Sequence, residues 1–109
     1  MKYGLEDEEL LKLQHDFAAF PEVDKVVLFG SRAKGNFRNG SDFDFCLEGN
    51  KLNLTIVNSI SNHIDELGLP YLFDIAIKHQ ISNPDLIDHI NRVGINFYVR
   101  FDMVNPIRL

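Results

Sequence analysis

The sequence predicts a small α+β or α/β domain built on one compact sheet. Short apolar runs typical of strands alternate along the chain with segments whose apolar residues recur every three or four positions, which is the period of a helix. At 109 residues the chain is long enough for one hydrophobic core, so we expect a single domain over residues 1–109. The resulting pattern, α-β-α-β-α, predicts a sheet covered by helices on one side or both.

The first helix is predicted over Glu6 to Phe20. Its apolar residues fall three and four positions apart, acids fill its first turn in accord with the helix dipole, and Pro21 ends it. The next element is Lys25 to Phe29, a short apolar run rich in β-branched residues and closed by Gly30. Such a run is typical of a strand buried on both faces.

The remaining elements follow the same two periods. Ser41 to Leu47 alternates aspartate or cysteine with large apolar residues, which predicts a strand. A helix is predicted over Asn53 to Leu67, ending at Gly68, and a strand over Tyr71 to Lys78. The last two elements are a helix capped by Asn83, begun by Pro84 and ended by Gly94, and a short edge strand, Ile95 to Arg100.

Composition excludes several classes of protein. The formal charge of −5 argues against direct nucleic-acid binding, which needs a basic face. No apolar run approaches the roughly 18–20 residues that span a bilayer, and the acidic N-terminus is unlike a signal peptide, so we expect a cytoplasmic protein without a membrane partner. Cys46 is the only cysteine, which excludes an internal disulfide. Residues 30–40 nevertheless hold three cations and no acid, so this segment can receive an anion.

Three aspartates are candidate metal ligands. Asp42 and Asp44 lie two apart on a predicted strand, so their side chains share a face and their α-carbons are roughly 6–7 Å apart. Close carboxylates repel unless they are protonated or neutralised, and Mg²⁺ commonly neutralises them near phosphates. Asp74 lies in the middle of an apolar strand, where an acid needs a partner, which makes it the natural third ligand. The alternative is that these acids are solvated or paired with Arg32 or Arg38.

The Gly30-Ser31 turn is a candidate phosphate site. A glycine after a buried strand lets the backbone approach a ligand, and exposed N–H groups with a serine hydroxyl at the start of a helix can hold a phosphate. Gly-Ser is also a common turn with no ligand, and that alternative stays open. The segment is neither a P-loop nor a dinucleotide fingerprint, and Leu47 stands where an EF-hand loop beginning at Asp42 needs a glycine.

The histidines receive no role, because they fall on different predicted elements without the spacing of a metal site: His15, His63, His79 and His89. Cys46 is expected to be a small buried thiol of ordinary reactivity.

The motifs together resemble those of the DNA polymerase β-type nucleotidyltransferase superfamily: apolar-Gly-Ser, ten residues, Asp-apolar-Asp-apolar, and a later apolar-Asp-apolar strand. The segment GSRAKGNFRNGSDFDF, with PYLFDIAI, an Asn-Pro-initiated helix and RVGINFY, is similar over residues 5–99 to the minimal nucleotidyltransferases (MNT). These are single palm domains with a short mixed sheet, often paired with a HEPN-family protein. Phe43, Phe45 and Cys46 depart from the smaller aliphatic residues common there, and the 100–109 tail lies outside the resemblance and has no assigned role.

The resemblance implies two sets of site residues. The first would bind two Mg²⁺ ions and carry catalysis: Asp42, Asp44 and Asp74. Within it, Asp74 would bind the catalytic ion and favour deprotonation of the acceptor hydroxyl. The second set would bind the nucleotide, and the resemblance itself gives Gly30 and Ser31 for the triphosphate. Three carboxylates and two divalent ions nearly balance in charge, which leaves Arg32, Lys34 or Arg38 to meet the triphosphate. We assign Arg32 and Lys34 to the nucleotide, and the alternative is that these cations only solvate the loop.

The resemblance also implies a reaction, in which an acceptor hydroxyl attacks the α-phosphate of a nucleoside triphosphate in line and releases pyrophosphate. The expected nucleotide is ATP, the expected acceptor is a tyrosine of a HEPN toxin, and the protein would be the antitoxin in a hetero-oligomer. The alternative is a non-catalytic binding module that silences or assembles with a HEPN-type partner by occlusion. A small-molecule acceptor is less expected, because the chain has no room for a separate acceptor domain.

Overall fold

The computed structural model describes residues 1–100, so most of the uninterpreted 100–109 tail lies outside the described residues. The elements follow the chain in this order: α1 Asp7–Ala18, β1 Lys25–Phe29, α2 Gly30–Lys34, β2 Phe43–Glu48, α3 Leu54–Glu66, β3 Phe73–Ile77, a 3-10 turn Lys78–Gln80, α4 Pro84–Val93 and β4 Ile95–Val99. None of the helices within residues 1–100 is both long and apolar enough to cross a membrane.

The strands form one mixed sheet in the order β3-β2-β1-β4. Strand β1 pairs antiparallel with both β2 and β4, whereas β2 and β3 are parallel and are joined through α3. A parallel pair needs such a crossover, because its strands run in the same direction. The predicted α+β fold with a short mixed sheet is confirmed, and β1 is central and buried at Val26, Val27 and Leu28, as its apolar run predicts.

The two faces of the sheet are covered unequally. The main core lies between α1, α3 and the face that carries Phe43 and Phe45, where Phe17 packs edge-on against Phe45 at 5.2 Å between ring centroids. On the opposite face α4 covers only a small cluster built around Cys46 and Ile90. That second face also carries Asp44, so the candidate site lies on the less covered side of the sheet.

Two boundaries differ from the sequence prediction in ways that affect the site. Strand β2 begins at Phe43, so Asp42 stands just before the strand and not within it. The five-residue helix α2 follows Phe29 directly, although the sequence predicted no more than the start of a helix there. Both differences arise in the connection between β1 and β2, where hydrophobic period gives no signal.

Candidate active site

The turn after β1 brings the backbone against the first catalytic candidate. Gly30 has φ +72°, a left-handed conformation that favours glycine, and it begins α2 with Ser31 as the next residue. A β-carbon on Gly30 would stand well inside 3.0 Å of Asp44 Oδ2. The Gly30-Ser31 turn and the Asp44 carboxylate are therefore in direct contact range.

Asp44 and Asp74 are neighbours across the sheet. Parallel strands β2 and β3 pair in a register that places Asp44 opposite Asp74, with Phe43 opposite Phe73 and Phe45 opposite Ile75. Residues paired in this way project to the same face. The two carboxylates therefore share the face opposite the main core.

The environment of Asp74 corrects the sequence analysis. The apolar run around it predicted a buried acid in need of a partner, but β3 is an edge strand and Asp74 is exposed. Its apolar neighbours Phe73 and Ile75 pack on the main core on the other face. The argument from burial is wrong, and what links Asp74 to the site is its position beside Asp44.

The charge balance at Asp44 reflects this crowding. Burial raises the pKa of Asp44 above its ordinary value, and the negative charges of Asp74 and Asp42 raise it further, while His89 lowers it. Asp42 stands at the entrance to β2, one residue before the strand begins. The three aspartates are thus close enough for their charges to interact.

The side chains of the three aspartates are of the type that binds a hard cation, but they do not form a complete coordination site. Within residues 1–100 no three His, Cys, Asp or Glu side chains stand together in the geometry of a metal site. The donors are nevertheless all carboxylate oxygens, the ligands that Mg²⁺ takes, and the repulsion that raises the pKa of Asp44 is one that a cation relieves. By donor type, therefore, the residues present fit Mg²⁺.

Arg32, which its charge assigned to the nucleotide, is instead bound inside the fold. Its side chain is buried, with 2% exposed, and its N–H groups donate to the carbonyl oxygens of Tyr3, Asn39 and Ser41. Burial lowers the pKa of Arg32, while Tyr71 and Asp42 raise it. Because all three of its nitrogens donate to carbonyl oxygens inside the fold, we correct its role from nucleotide contact to internal support.

The two other cations of this segment remain at the surface. Lys34 at the end of α2 and Arg38 in the following loop are both exposed, and neither enters an ion pair within the part of the chain that the structure describes. Both are free to meet an anionic ligand.

His89 was missed by the sequence analysis. It lies on α4, and its ring centroid is 6.2 Å from that of Phe29, the residue before Gly30. His89 is also close enough to Asp44 for its charge to lower the pKa of that carboxyl group. The signal was available, because His89 is three residues after Leu86 and one before Ile90, both of which pack against the sheet. The helix period alone places His89 on the sheet side of α4.

A cleft of about 500 Å³ lies elsewhere in the molecule. It is lined by Lys25 and Glu48 at the opposite ends of β1 and β2 from the Gly30-Ser31 turn, and none of the three site aspartates lines it. We place the candidate site at the aspartates and not in this cleft, because the cleft contains none of the residues that the proposed chemistry needs.

The family of the chain follows from a match over most of its length. The family described as "Polymerase beta, Nucleotidyltransferase" matches residues 11–102, and the chain belongs to this family. Its fold is that of the minimal nucleotidyltransferases. No curated protein sequence matches the chain significantly.

Solved structures similar to this chain include toxin-antitoxin complexes and a nucleotidyltransferase named on its own. A toxin-antitoxin crystal structure with AMP-PNP has a TM-score of 0.67 at 20% identity, over 88% of this chain and 75% of that one. The complex of tri-AMPylated Shewanella oneidensis HEPN toxin with its MNT antitoxin has a TM-score of 0.57 at 16% identity, over 89% and 72%. A putative nucleotidyltransferase from Sulfolobus solfataricus has a TM-score of 0.52 at 18% identity, over 92% and 90%.

Proposed function

We propose that the protein transfers AMP from ATP to a hydroxyl of a HEPN-family partner protein in a Mg²⁺-dependent reaction, as the antitoxin of a HEPN/MNT pair in the cytoplasm. The observation that carries the proposal is the position of Asp44, which lies against Gly30 on one side and beside Asp74 on the other. Likeness to a toxin-antitoxin structure with AMP-PNP and to an antitoxin complexed with an AMPylated HEPN toxin supports the nucleotide and the partner.

The reaction exchanges one phosphoester bond for another. The acceptor oxygen forms a bond to the α-phosphorus as the bond from that phosphorus to the bridging oxygen breaks, and pyrophosphate leaves with the electron pair. Asp42 and Asp44 would hold the two Mg²⁺ ions, with Asp74 completing the set near the acceptor and favouring loss of its proton. When bound, the ions supply positive charge that stabilises the entering and leaving oxygens.

The nucleotide would approach along the Gly30-Ser31 turn. The missing side chain of Gly30 leaves the backbone next to Asp44 open to close approach, and Ser31 adds a hydroxyl there. Lys34, which is exposed, is the cation of the assigned set that can meet the triphosphate. We leave Arg32 out of this contact, because its nitrogens donate to carbonyl oxygens inside the fold.

The acceptor would come from a second protein in a hetero-oligomer. Asp74 is exposed at the edge of the sheet, so a docked partner can bring a hydroxyl to it. Proximity and orientation of an acceptor can carry about 7–11 kcal/mol of a barrier. We therefore expect the isolated chain to bind Mg²⁺ and ATP but to transfer AMP efficiently only with its partner.

The occluding binding module is the other candidate, and the exposure of Asp74 removes one argument against it. An exposed acid costs little to keep and gives no sign of use. What favours the enzyme is Asp44. A half-buried carboxylate beside two other acids is energetically unfavourable, and such groups occur preferentially at functional sites.

The test combines the protein with the product of the neighbouring gene, labelled ATP and Mg²⁺, followed by mass spectrometry of the intact proteins. The expected result is added AMP on the partner, absent with the Asp42→Asn variant. A tight complex with no adduct under any nucleoside triphosphate would establish occlusion instead. Rapid modification of a free small molecule by the lone chain would overturn the requirement for a partner.

A further inference from the structure

Arg32 stands out because it is the sole buried polar or charged side chain within residues 1–100. Charged side chains are almost never fully buried unless they are paired. In the described part of the chain Arg32 has no ion-pair partner within salt-bridge distance, and each of its three nitrogens donates to at least one backbone carbonyl oxygen. Hydrogen bonds to backbone carbonyl oxygens offset the cost of burying this charge. They indicate that Arg32 fixes the position of the backbone segments that it contacts.

Most of these contacts go to the loop of residues 36–41 between α2 and β2. Ser41 O accepts from Arg32 Nη2 at 2.8 Å and from Nε at 3.2 Å, and Asn39 O accepts from Nη2 at 3.3 Å. Two parallel donors on one carbonyl fix its position and direction, which only the planar guanidinium fork provides.

The guanidinium is itself held from the remaining sides. Its Nη1 donates to Tyr3 O at 2.9 Å, and the rings of Phe37 and Phe43 lie 4.5 and 4.2 Å from its central carbon. A β-carbon on Gly4 would collide with Nη1, so the N-terminal turn also packs directly on it. A group fixed on several sides can hold the 36–41 loop in one place.

The held carbonyl belongs to the residue before Asp42. The regular pairing of β2 begins only at Phe43, whose N–H donates to Leu72 O. The other backbone hydrogen bond of Ser41 is local, from its N–H to Arg38 O. The link between the Asp42 backbone and the rest of the fold on its N-terminal side therefore runs through Arg32.

We propose that Arg32 is a positioning residue that fixes the Ser41 carbonyl and thereby sets where the Asp42 carboxylate stands. Arg32 is also the residue after Ser31, so one short helix, α2, places both the proposed phosphate contact and the proposed metal ligand. This inference rests on the proposed function for its catalytic consequence, but its structural part stands apart from it.

The test compares Arg32→Lys with Arg92→Lys. The lysine keeps the charge of Arg32 but cannot form the fork, while Arg92 is an exposed arginine of α4 paired with Asp88 and serves as the matched control. Three quantities are measured on folded protein: hydrogen exchange of the amides of residues 38–43, binding of Mn²⁺ in place of Mg²⁺, and kcat and KM for ATP with the partner present.

For Arg32→Lys we expect amide exchange to speed up in residues 38–43 but not in α3, and Mn²⁺ binding to weaken. Because a misplacement of about 1 Å can cost roughly 100-fold, we expect kcat to fall at least about tenfold with a smaller change in KM for ATP. Arg92→Lys should change none of these. Exchange that rises equally in α3, with Mn²⁺ binding unchanged, would show a merely structural role and overturn the inference.

A second variant covers the case in which Arg32→Lys does not fold. Phe37→Leu keeps every donor of Arg32 and removes one of the three aromatic rings near its guanidinium, so the same three changes are expected at smaller size. Normal exchange in residues 38–43 and normal Mn²⁺ binding in this variant would then overturn the inference. If the wild-type protein transfers no nucleotide to its partner, the proposed function fails, while exchange and Mn²⁺ binding still decide the role of Arg32.

Discussion

Gly30 lies against the carboxylate of Asp44 so closely that no side chain fits between them. A β-carbon at Gly30 would stand within 3.0 Å of Asp44 Oδ2, a range that real β-carbons essentially never show. The contact joins the end of β1 to the second residue of β2 on the face opposite the main core. The glycine of the Gly-Ser turn is thus required by its neighbour as well as by its backbone conformation.

Gly30→Ala is expected to damage the site more than Gly35→Ala. Both glycines have positive φ, +72° and +83°, so an alanine at either costs roughly 1–2 kcal/mol in a left-handed conformation. A methyl group on Gly35 would meet nothing within 4 Å, whereas on Gly30 it must displace Asp44. Denaturant unfolding should show the greater loss of stability for Gly30→Ala, and AMP transfer should fall for that variant alone. Equal losses in both variants would contradict the contact.

Asp44→Asn is expected to abolish transfer and to stabilise the metal-free fold at neutral pH. Removing a proposed ligand forfeits several kcal/mol of transition-state stabilisation, at least about 100-fold in rate. The gain in stability follows because burial and the charges of Asp74 and Asp42 disfavour the carboxylate of Asp44 and raise its pKa.

The pH dependence of that gain has a definite sign. With its folded pKa raised, Asp44 contributes stability at pH values below its unfolded pKa and loses that contribution as the pH rises through its folded pKa. The variant has no group to titrate there, so its advantage in Tm should grow from acid to neutral pH. Mg²⁺ should reduce the advantage, because it binds the folded wild-type protein. A Tm difference independent of pH would contradict the crowding of these acids.

Asp74→Asn is expected to lower the chemical rate far more than it weakens nucleotide binding. The triphosphate would be held mainly by the Gly30-Ser31 turn and by the ion bound at Asp42 and Asp44, so the ground state loses little. Because Asp74 is exposed on an edge strand, its replacement should not lower Tm, and loss of its charge beside Asp44 should raise Tm slightly in the metal-free protein. Single-turnover rates and ATP titrations separate the two effects, and equal losses in both would point to a binding role.

The thiol of Cys46 is expected to be inert in the folded protein. The side chain is fully buried between β2 and α4, and burial raises its pKa to about 11. At a pH of about 8 the reactive thiolate is therefore scarce and inaccessible. A thiol reagent such as N-ethylmaleimide should modify the native chain very slowly and the denatured chain fully. Labelling of native protein at the rate of a free cysteine would show that α4 does not stay packed on the sheet.

Periodicity in the sequence predicted most of the fold because it records burial. The central position of β1 follows from its unbroken apolar run, and α4 is delimited by Asn83, whose side chain accepts from the N–H of Asp85, and by Gly94. Only the family resemblance could predict that Asp44 and Asp74 lie side by side. Their proximity depends on the order of the strands in the sheet, which is set by contacts between residues far apart in the sequence.

The rest of the site depends on contacts that leave no pattern in the sequence. Arg32 was assigned to the nucleotide because of its charge. Its actual partners could not be foreseen, because they are backbone carbonyl oxygens, which any residue provides. Asp74 was expected to be buried because the residues around it are almost all apolar. Apolar residues do not guarantee burial at the edge of a sheet, and Leu72, two residues before Asp74, is 72% exposed. The environment of Arg32 is set by the packing of the 36–41 loop, and that of Asp74 by the position of β3 at the edge of the sheet.

The parallel pairing of β2 with β3 also protects the molecule against an error of folding. Side chains alternate between faces, so a slip of one residue along β3 would turn Asp74 toward the main core and turn Phe73 and Ile75 toward solvent. Full burial of a large apolar side chain contributes roughly 1.5–3 kcal/mol. Phe73 and Ile75 are partly buried, so each would forfeit part of that amount, and a buried aspartate adds to the cost. Misaligned molecules are thus disfavoured by the core before any substrate arrives, and the hydrophobic side of β3 selects the alignment in which the two carboxylates are neighbours.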